Sequence, residues 1–217
     1  MLPEVNFHPQ VWHVVGAALL FPVLFPGLSY WVNQRLCKST FVVVPREMAL
    51  LAALVFLLAI LFEASLNPLY TRLFGAKLWV YRLFPLHDGN VSALALVAWT
   101  SYGVHLYFLN QTLDSRIAAG TRRNLIKAAL IGLEAPLLWE VLGNGFFLLT
   151  VGEFYAYYLP GDVFHFTSLR VIPVYMLCIY SGLHVHGYLR RHAADWRLIA
   201  GLFAAGIAFL GVGLGID

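Results

Sequence analysis

Two glutamates, Glu63 and Glu140, lie in apolar stretches, and each is followed four residues later by an asparagine, Asn67 and Asn144. Residues four apart share one helix face, where an amide can donate to a carboxylate or orient its proton. An ionisable side chain inside an apolar span costs about 2.5–3.5 kcal/mol or more and generally faces the interior of a bundle, so it marks function. Two such carboxyls can divide acid–base work, one keeping its proton as a general acid while the other accepts one. His13, at the start of the first apolar stretch, could join them. Asp88 follows His87 and Asp162 precedes His165, so two further connections each offer an acid and an imidazole above the glutamates. Glu134 precedes Glu140 by six positions, about 120° around an ideal helix, and is expected to face a different neighbour. Arg170 is a candidate for pairing with an acid or holding a phosphate head group.

The surroundings of the two glutamates match. From Glu63 the chain reads Glu-x3-Asn67-x7-Gly75-x5-Tyr81, and from Glu140 it reads Glu-x3-Asn144-x7-Gly152-x5-Tyr158. Further on, Tyr102-Gly103-x-His105 answers Tyr180-x-Gly182-x-His184 with a slip of one or two residues. The spacing predicts a duplicated unit of two helices and their outer connection, over about 46–112 and 123–190, the copies related by a pseudo-twofold axis along the membrane normal. Depth agrees, because Glu63 follows Arg46, and Glu140 follows Arg123, by the same interval of about 25 Å along a helix.

The elements that must carry these residues follow from composition. Of 217 residues, 60% are hydrophobic and 12% charged, against roughly 45–50% and 25% in soluble domains. That balance excludes a cytosolic enzyme, a nucleic-acid binder and a disordered regulator. A spanning helix needs about 20 mainly apolar residues. Six stretches qualify, about 11–31, 47–67, 91–111, 125–149, 169–189 and 197–216. The expectation is therefore a single all-α, polytopic transmembrane domain over 1–217 with six helices.

Lys and Arg favour the cytoplasmic side, and here they segregate. Arg35, Lys38, Arg46, Arg116, Arg122, Arg123, Lys127, Arg190, Arg191 and Arg197 fall on one side, and Arg72, Lys77, Arg82 and Arg170 on the other. Both termini are thus expected outside the cytoplasm, with the first span retained because it lacks a basic start and a cleavage site. The outer connections, about 68–90 and 150–168, are rich in aromatic residues suited to the membrane interface. The last span carries Gly201, Gly206, Gly211, Gly213 and Gly215, with no ionisable residue after Arg197 until Asp217, and reads as a close-packing helix.

Metal and redox chemistry find less support. Cys37 and Cys178 have no ligand spacing and read as two buried thiols. His105 and His184 could face one another across symmetry-related helices, which is what a b-type haem requires. The clustered histidines of membrane di-iron hydroxylases are absent, and the run from His184 to His192 reads as a solvated face. No metal and no cofactor is expected.

The stretch from Trp139 to Pro173, with Glu140, Gly143, Gly152, Tyr155, Tyr157 and Ile172-Pro173, resembles the integral-membrane carotenoid 1,2-hydratase family. Glu63 with Gly75 and Trp79 is similar to the carboxylate and Gly-x-Trp-type loop that recur in both halves of bacterial lycopene cyclase domains. The resemblance implies protonation of an isoprenoid double bond by a buried carboxylic acid, followed by water addition, or by ring closure and proton loss. No cofactor is needed. Trp79, Tyr81, Trp139, Tyr155 and Tyr158 would then line the substrate site and stabilise a carbocation.

The leading expectation is a membrane enzyme, of lyase or isomerase type, with Glu63 and Glu140 as acid and base and Asn67 and Asn144 orienting them. Its partners would be a hydrophobic isoprenoid substrate and membrane lipids, and a homo-oligomer is compatible. Alternatives are a small proton-coupled transporter, a b-haem electron-transfer or quinone-reactive subunit, and a non-catalytic subunit of a larger complex.

Overall fold

A computed structural model describes residues 10–192 and 195–212. The expectations for Gly213, Gly215, Asp217 and the two termini lie outside these residues. The chain is mainly helical: α1 Val11–Leu36, α2 Pro45–Phe74, α3 Ala95–Arg116, α4 Arg123–Glu134, α5 Val141–Val151, α6 Ile172–His192 and α7 Trp196–Val212. A π-helical turn, Ala135–Glu140, joins α4 to α5 as one continuous rod. Each apolar stretch expected to be helical carries a helix over most of its described residues, with 91–94 taken up by strand β3 and a turn, and α1 and α2 are long and apolar enough to cross a membrane.

Local chemistry sets the ends. Pro45 opens α2, where its missing N–H costs nothing. Gly75 and Gly152 close α2 and α5 in the left-handed conformation, at φ 74° and 81°, each returning its N–H to the carbonyl four residues back. A side chain at either position would be strained, which explains why both matched segments carry glycine there. Pro136 cannot donate to the helix ladder, and the rod widens into its π turn at that point.

Helix α2 is central, packing along α3, α7 and α6, while α1 lies against α3 and α4 against α6. The core is aromatic and aliphatic, with Phe21, Phe56, Ile60, Tyr102 and Phe147 almost fully buried. The outside is apolar too. Trp12, Leu19, Val23 and Leu28 on α1 and Leu149 on α5 are exposed, a surface suited to hydrocarbon rather than water. At the end of the bundle away from the short strands, Asp114 contacts Arg123 and Lys127, at 3.1 and 2.9 Å, and Glu47 meets Arg190 at 3.5 Å.

Helices α2 and α3 touch through Gly103, where an added Cβ would come within 2.5 Å of Ala52 Cα. Backbone cannot yield as a side chain does. Gly103→Ala is expected to lower stability by ~1–3 kcal/mol, read from thermal unfolding in detergent; an unchanged midpoint would refute the tight seat.

Short strands crown the other end. Strand β1 (Trp79–Tyr81) pairs antiparallel with β4 (Ala156–Tyr158), and β2 (Pro85–Leu86) with β3 (Val91–Ser92) in a hairpin. In the first ribbon Trp79 faces Tyr158, Val80 faces Tyr157, and Tyr81 faces Ala156. Val80 and Tyr157 correspond in the matched segments, and the two outer pairs exchange corresponding positions. The register therefore has the symmetry of a twofold through its central pair.

Candidate functional site

Each glutamate projects below this ribbon, and each asparagine builds the loop above it. The Asn67 amide accepts from Leu78 N–H at 2.8 Å and donates to Trp79 O and Asn90 Oδ1, both at 2.8 Å. The Asn144 amide accepts from Ala156 N–H at 2.8 Å and donates to Phe166 O at 2.7 Å. Both are almost fully buried. This corrects their expected role, since neither amide orients a carboxylate. The backbone that leaves each helix has unpaired polar groups that must be satisfied when buried, and the asparagine one turn beyond the glutamate supplies the partner.

The carboxylates are held by aromatic and hydroxyl donors instead. Glu63 Oε1 accepts from the Tyr81 hydroxyl and, at 3.1 Å, from Trp99 Nε1. Glu140 Oε1 accepts from the Tyr158 hydroxyl at 2.7 Å and from the Tyr175 hydroxyl, and its Oε2 accepts from Thr167 Oγ1 at 2.5 Å. Tyr81 and Tyr158 are corresponding residues, and Trp99 on α3 and Tyr175 on α6 serve the two glutamates in like manner. The sites differ in one respect: both oxygens of Glu140 are occupied, whereas Glu63 Oε2 is buried with no protein partner. The Tyr155 hydroxyl is also buried without one, its ring 4.9 Å from that of Tyr81.

Two cavities meet at this network. One of about 120 Å³ runs between α2, α3 and α6, lined mainly by aliphatic residues, with Glu63, Trp99, Tyr102, Tyr158, Tyr175 and Cys178 on its walls. A smaller one of about 40 Å³ is lined by Glu140, Tyr81, Tyr155, Trp139 and Phe21. Trp99 and Tyr158 border both. Cys37 and Cys178 are free and half-buried rather than fully buried.

The remaining sequence candidates separate. Trp79 stands over Tyr158 with ring centres 6.0 Å apart and donates from Nε1 to Asn90 O at 3.1 Å. His13 is exposed on the first turns of α1, away from the carboxyls it was expected to join, because the buried stripe of that helix runs through Val14, Ala17, Ala18 and Phe21. Asp88 is exposed and pairs with Lys77 at 2.6 Å. Asp162 accepts from Ser168 Oγ at 3.0 Å and Leu169 N–H at 2.9 Å, fixing the entry to α6. Both aspartates are loop structure, not a second tier of the acid–base site. Arg170 is exposed and donates to the Tyr70 hydroxyl at 2.8 Å.

His105 is not opposed to His184, which is exposed and packs on Tyr180. Its Nδ1 lies 2.7 Å from Ser29 Oγ, and its Nε2 lies 3.2 Å from Glu134 Oε1, off the line of a hydrogen bond. Tyr102, on the larger cavity, donates to Glu134 Oε2 at 3.2 Å, and the imidazole stacks on Trp139 at 5.0 Å. With Nδ1 bonded to Ser29 and His184 exposed elsewhere, the pair does not fit axial ligation of a haem. Among the described residues no group of three His, Cys, Asp or Glu is placed to hold a metal. The Ser29–His105–Glu134–Tyr102 chain escapes sequence reasoning because its members come from three helices.

Removing either asparagine strips backbone groups of β1 or β4. Asn67→Ala is expected to cost ~2–3 kcal/mol and Asn144→Ala somewhat less, since a buried group left unmade costs about 1–3 kcal/mol. Faster amide hydrogen exchange at Leu78 or Ala156 is the signature, and unchanged exchange would refute it. Comparison with protein-family models, curated proteins and solved structures returned no match.

Proposed function

We propose that the chain is a multi-pass membrane enzyme that performs cofactor-free acid–base chemistry on an isoprenoid lipid. In this reading its six helical rods cross the bilayer, with the basic ends of α1, α3 and α6 and the basic starts of α2 and α4 on the cytoplasmic side. Both termini and the strand-capped, aromatic connections lie on the other side. The two matched segments are duplicated units that meet at the β1–β4 ribbon, whose register supports a pseudo-twofold relation.

The observation that carries the function is Glu63: a buried carboxyl that lines an apolar cavity with six aromatic side chains in its wall, and whose Oε2 has no protein partner. Glu63 is the acid. Its proton passes to one carbon of a substrate double bond, the π electrons form the new C–H bond, and the neighbouring carbon becomes a cation. Trp99, Tyr102, Tyr158 and Tyr175 line the cavity, and aromatic rings can stabilise such a cation. The charge is discharged by loss of an adjacent C–H proton, before or after ring closure, or by capture of water with loss of one of its protons. Glu140, held by three hydroxyl donors, is the anionic partner. It reaches the cavity through Tyr158, whose hydroxyl it accepts and whose ring lines both spaces.

The test is to express the chain in a membrane supplied with linear isoprenoids and to extract the lipids for mass spectrometry. The expected product is either isomeric with the substrate or heavier by one water. It should be absent with Glu63→Gln. Unchanged lipid alongside carboxylate-dependent proton flux would replace this reading with a proton-coupled carrier.

A further inference from the structure

The two matched segments continue into outer hairpins that agree in backbone detail and differ at one residue pair. In the first hairpin Leu86 pairs with Val91; in the second Val163 bridges to Thr167. Each turns through two successive left-handed residues, His87 and Asp88 at φ 51° and 55°, Phe164 and His165 at φ 50° and 65°. The first turn is one residue longer, and Gly89, left-handed at φ 74°, follows its pair. Beyond the turns the match resumes. Val91 and Thr167 each precede a serine, Ser92 or Ser168, whose Oγ accepts from the backbone N–H two residues on, Leu94 at 3.1 Å and Arg170 at 3.2 Å. Eight residues after Val91 stands Trp99, a donor to Glu63, and eight after Thr167 stands Tyr175, a donor to Glu140. This register sets Tyr102 against Cys178, two positions from the Tyr180 that the sequence suggests, and both line the larger cavity.

Val91 thus takes in the first segment the place that Thr167 has in the second. Valine and threonine have nearly the same shape and differ by a methyl for a hydroxyl. Thr167 Oγ1 donates to Glu140 Oε2 at 2.5 Å. Val91, fully buried where β3 packs on α2, has no side-chain donor, and Glu63 Oε2 is the carboxyl oxygen left without a protein partner.

We propose that Val91 is a positioning residue that keeps the proton on Glu63, and that Thr167, in the same place of the other segment, keeps Glu140 ionised. This rests on the acid–base reading of the two glutamates and adds the residues that divide their roles. A donor aimed at a carboxylate oxygen favours the ionised form. Glu140 has three donors spread over both oxygens. Glu63 has two, Tyr81 and Trp99, both on Oε1. Ionised, it would leave on Oε2 a buried charge that nothing in the protein meets; protonated at Oε2, it keeps Oε1 as the acceptor of both bonds. Among the described residues, the other titratable groups acting on Glu63 are Glu140 and the phenols of Tyr81, Tyr155 and Tyr158, none of them a cation that would offset the charge.

The experiment follows the infrared band of protonated carboxyl groups in the full chain, in detergent, as a function of pH. Glu63→Gln and Glu140→Gln assign the band, which the first should remove and the second retain. A hydrogen bond to a charged group corresponds to a roughly 10- to 100-fold change in a proton equilibrium. Val91→Thr should shift Glu63 by that factor toward its ionised form, and Thr167→Val should shift Glu140 by a similar factor toward its protonated form. An unshifted Glu63 band in folded Val91→Thr overturns the proposal and leaves the acid–base reading standing. If that variant fails to fold, Thr167→Val decides alone, and an unshifted Glu140 overturns the proposal. A wild-type band that survives Glu63→Gln and is lost in Glu140→Gln overturns both.

Discussion

Glu63→Gln is expected to lower turnover by roughly 10²–10⁴-fold, the usual contribution of a positioned general acid, while substrate binding is kept. Glutamine preserves the shape and can still accept from Tyr81 and Trp99, so the loss isolates the transferable proton. Glu140→Gln should behave differently. Its carboxylate accepts three hydroxyl bonds, and an amide nitrogen cannot replace one of those oxygens as an acceptor. Both stability and turnover should fall there. If the two act as one unit, the double variant is no worse than Glu63→Gln alone in turnover. Steady-state kinetics of the three variants decides the matter: a turnover retained within a few-fold in Glu63→Gln removes it as the acid.

The second large effect belongs to the polar chain between α1, α3 and α4. Leaving a buried polar group without its partner costs about 1–3 kcal/mol, whereas replacing both partners with apolar groups of similar shape can be nearly neutral. His105→Leu is therefore expected to cost ~1–3 kcal/mol, leaving Ser29 Oγ without its hydrogen-bond partner and Glu134 without its polar neighbour. Adding Glu134→Leu should recover most of the loss. Midpoints of unfolding for the two single variants and the double variant form the test; additive losses would mean that the groups do not interact.

Helix placement was legible because six apolar runs of sufficient length are separated by basic or aromatic segments, and the ends fall on residues whose local chemistry is decisive, Pro45, Gly75 and Gly152. The matched spacing around the glutamates was legible for the same reason, as it follows positions along a helix. What Asn67 and Asn144 bond was not. Residues four apart share a face, but that spacing does not say whether an amide looks down to a carboxylate or up to a loop, and the unmet backbone beyond the helix end decided it. The π turn at Pro136 shifts Trp139 and Glu140 relative to α4, so an ideal-helix angle between Glu134 and Glu140 was not transferable. Asp88 and Asp162 read as chemistry because an acid stands near a histidine in each loop; Lys77 in one case and the start of α6 in the other account for them. Contacts between helices, above all Ser29 with His105, depend on rotations that no single-segment pattern encodes.

The ribbon through Val80 and Tyr157 has a last consequence, which concerns equivalence. Two copies of one unit placed about a true dyad would give their carboxyls identical surroundings, and identical acids hold a proton with equal claim. Such an assembly has no means of naming a donor. A single chain is free to break that degeneracy, and here the break is written in the neighbours: a phenol, an indole and one oxygen without a protein partner at Glu63, two phenols and a threonine hydroxyl around Glu140. Under the proposed acid–base reading, this difference assigns which carboxyl gives and which receives, and so sets a direction for the proton that a symmetric pair would lack.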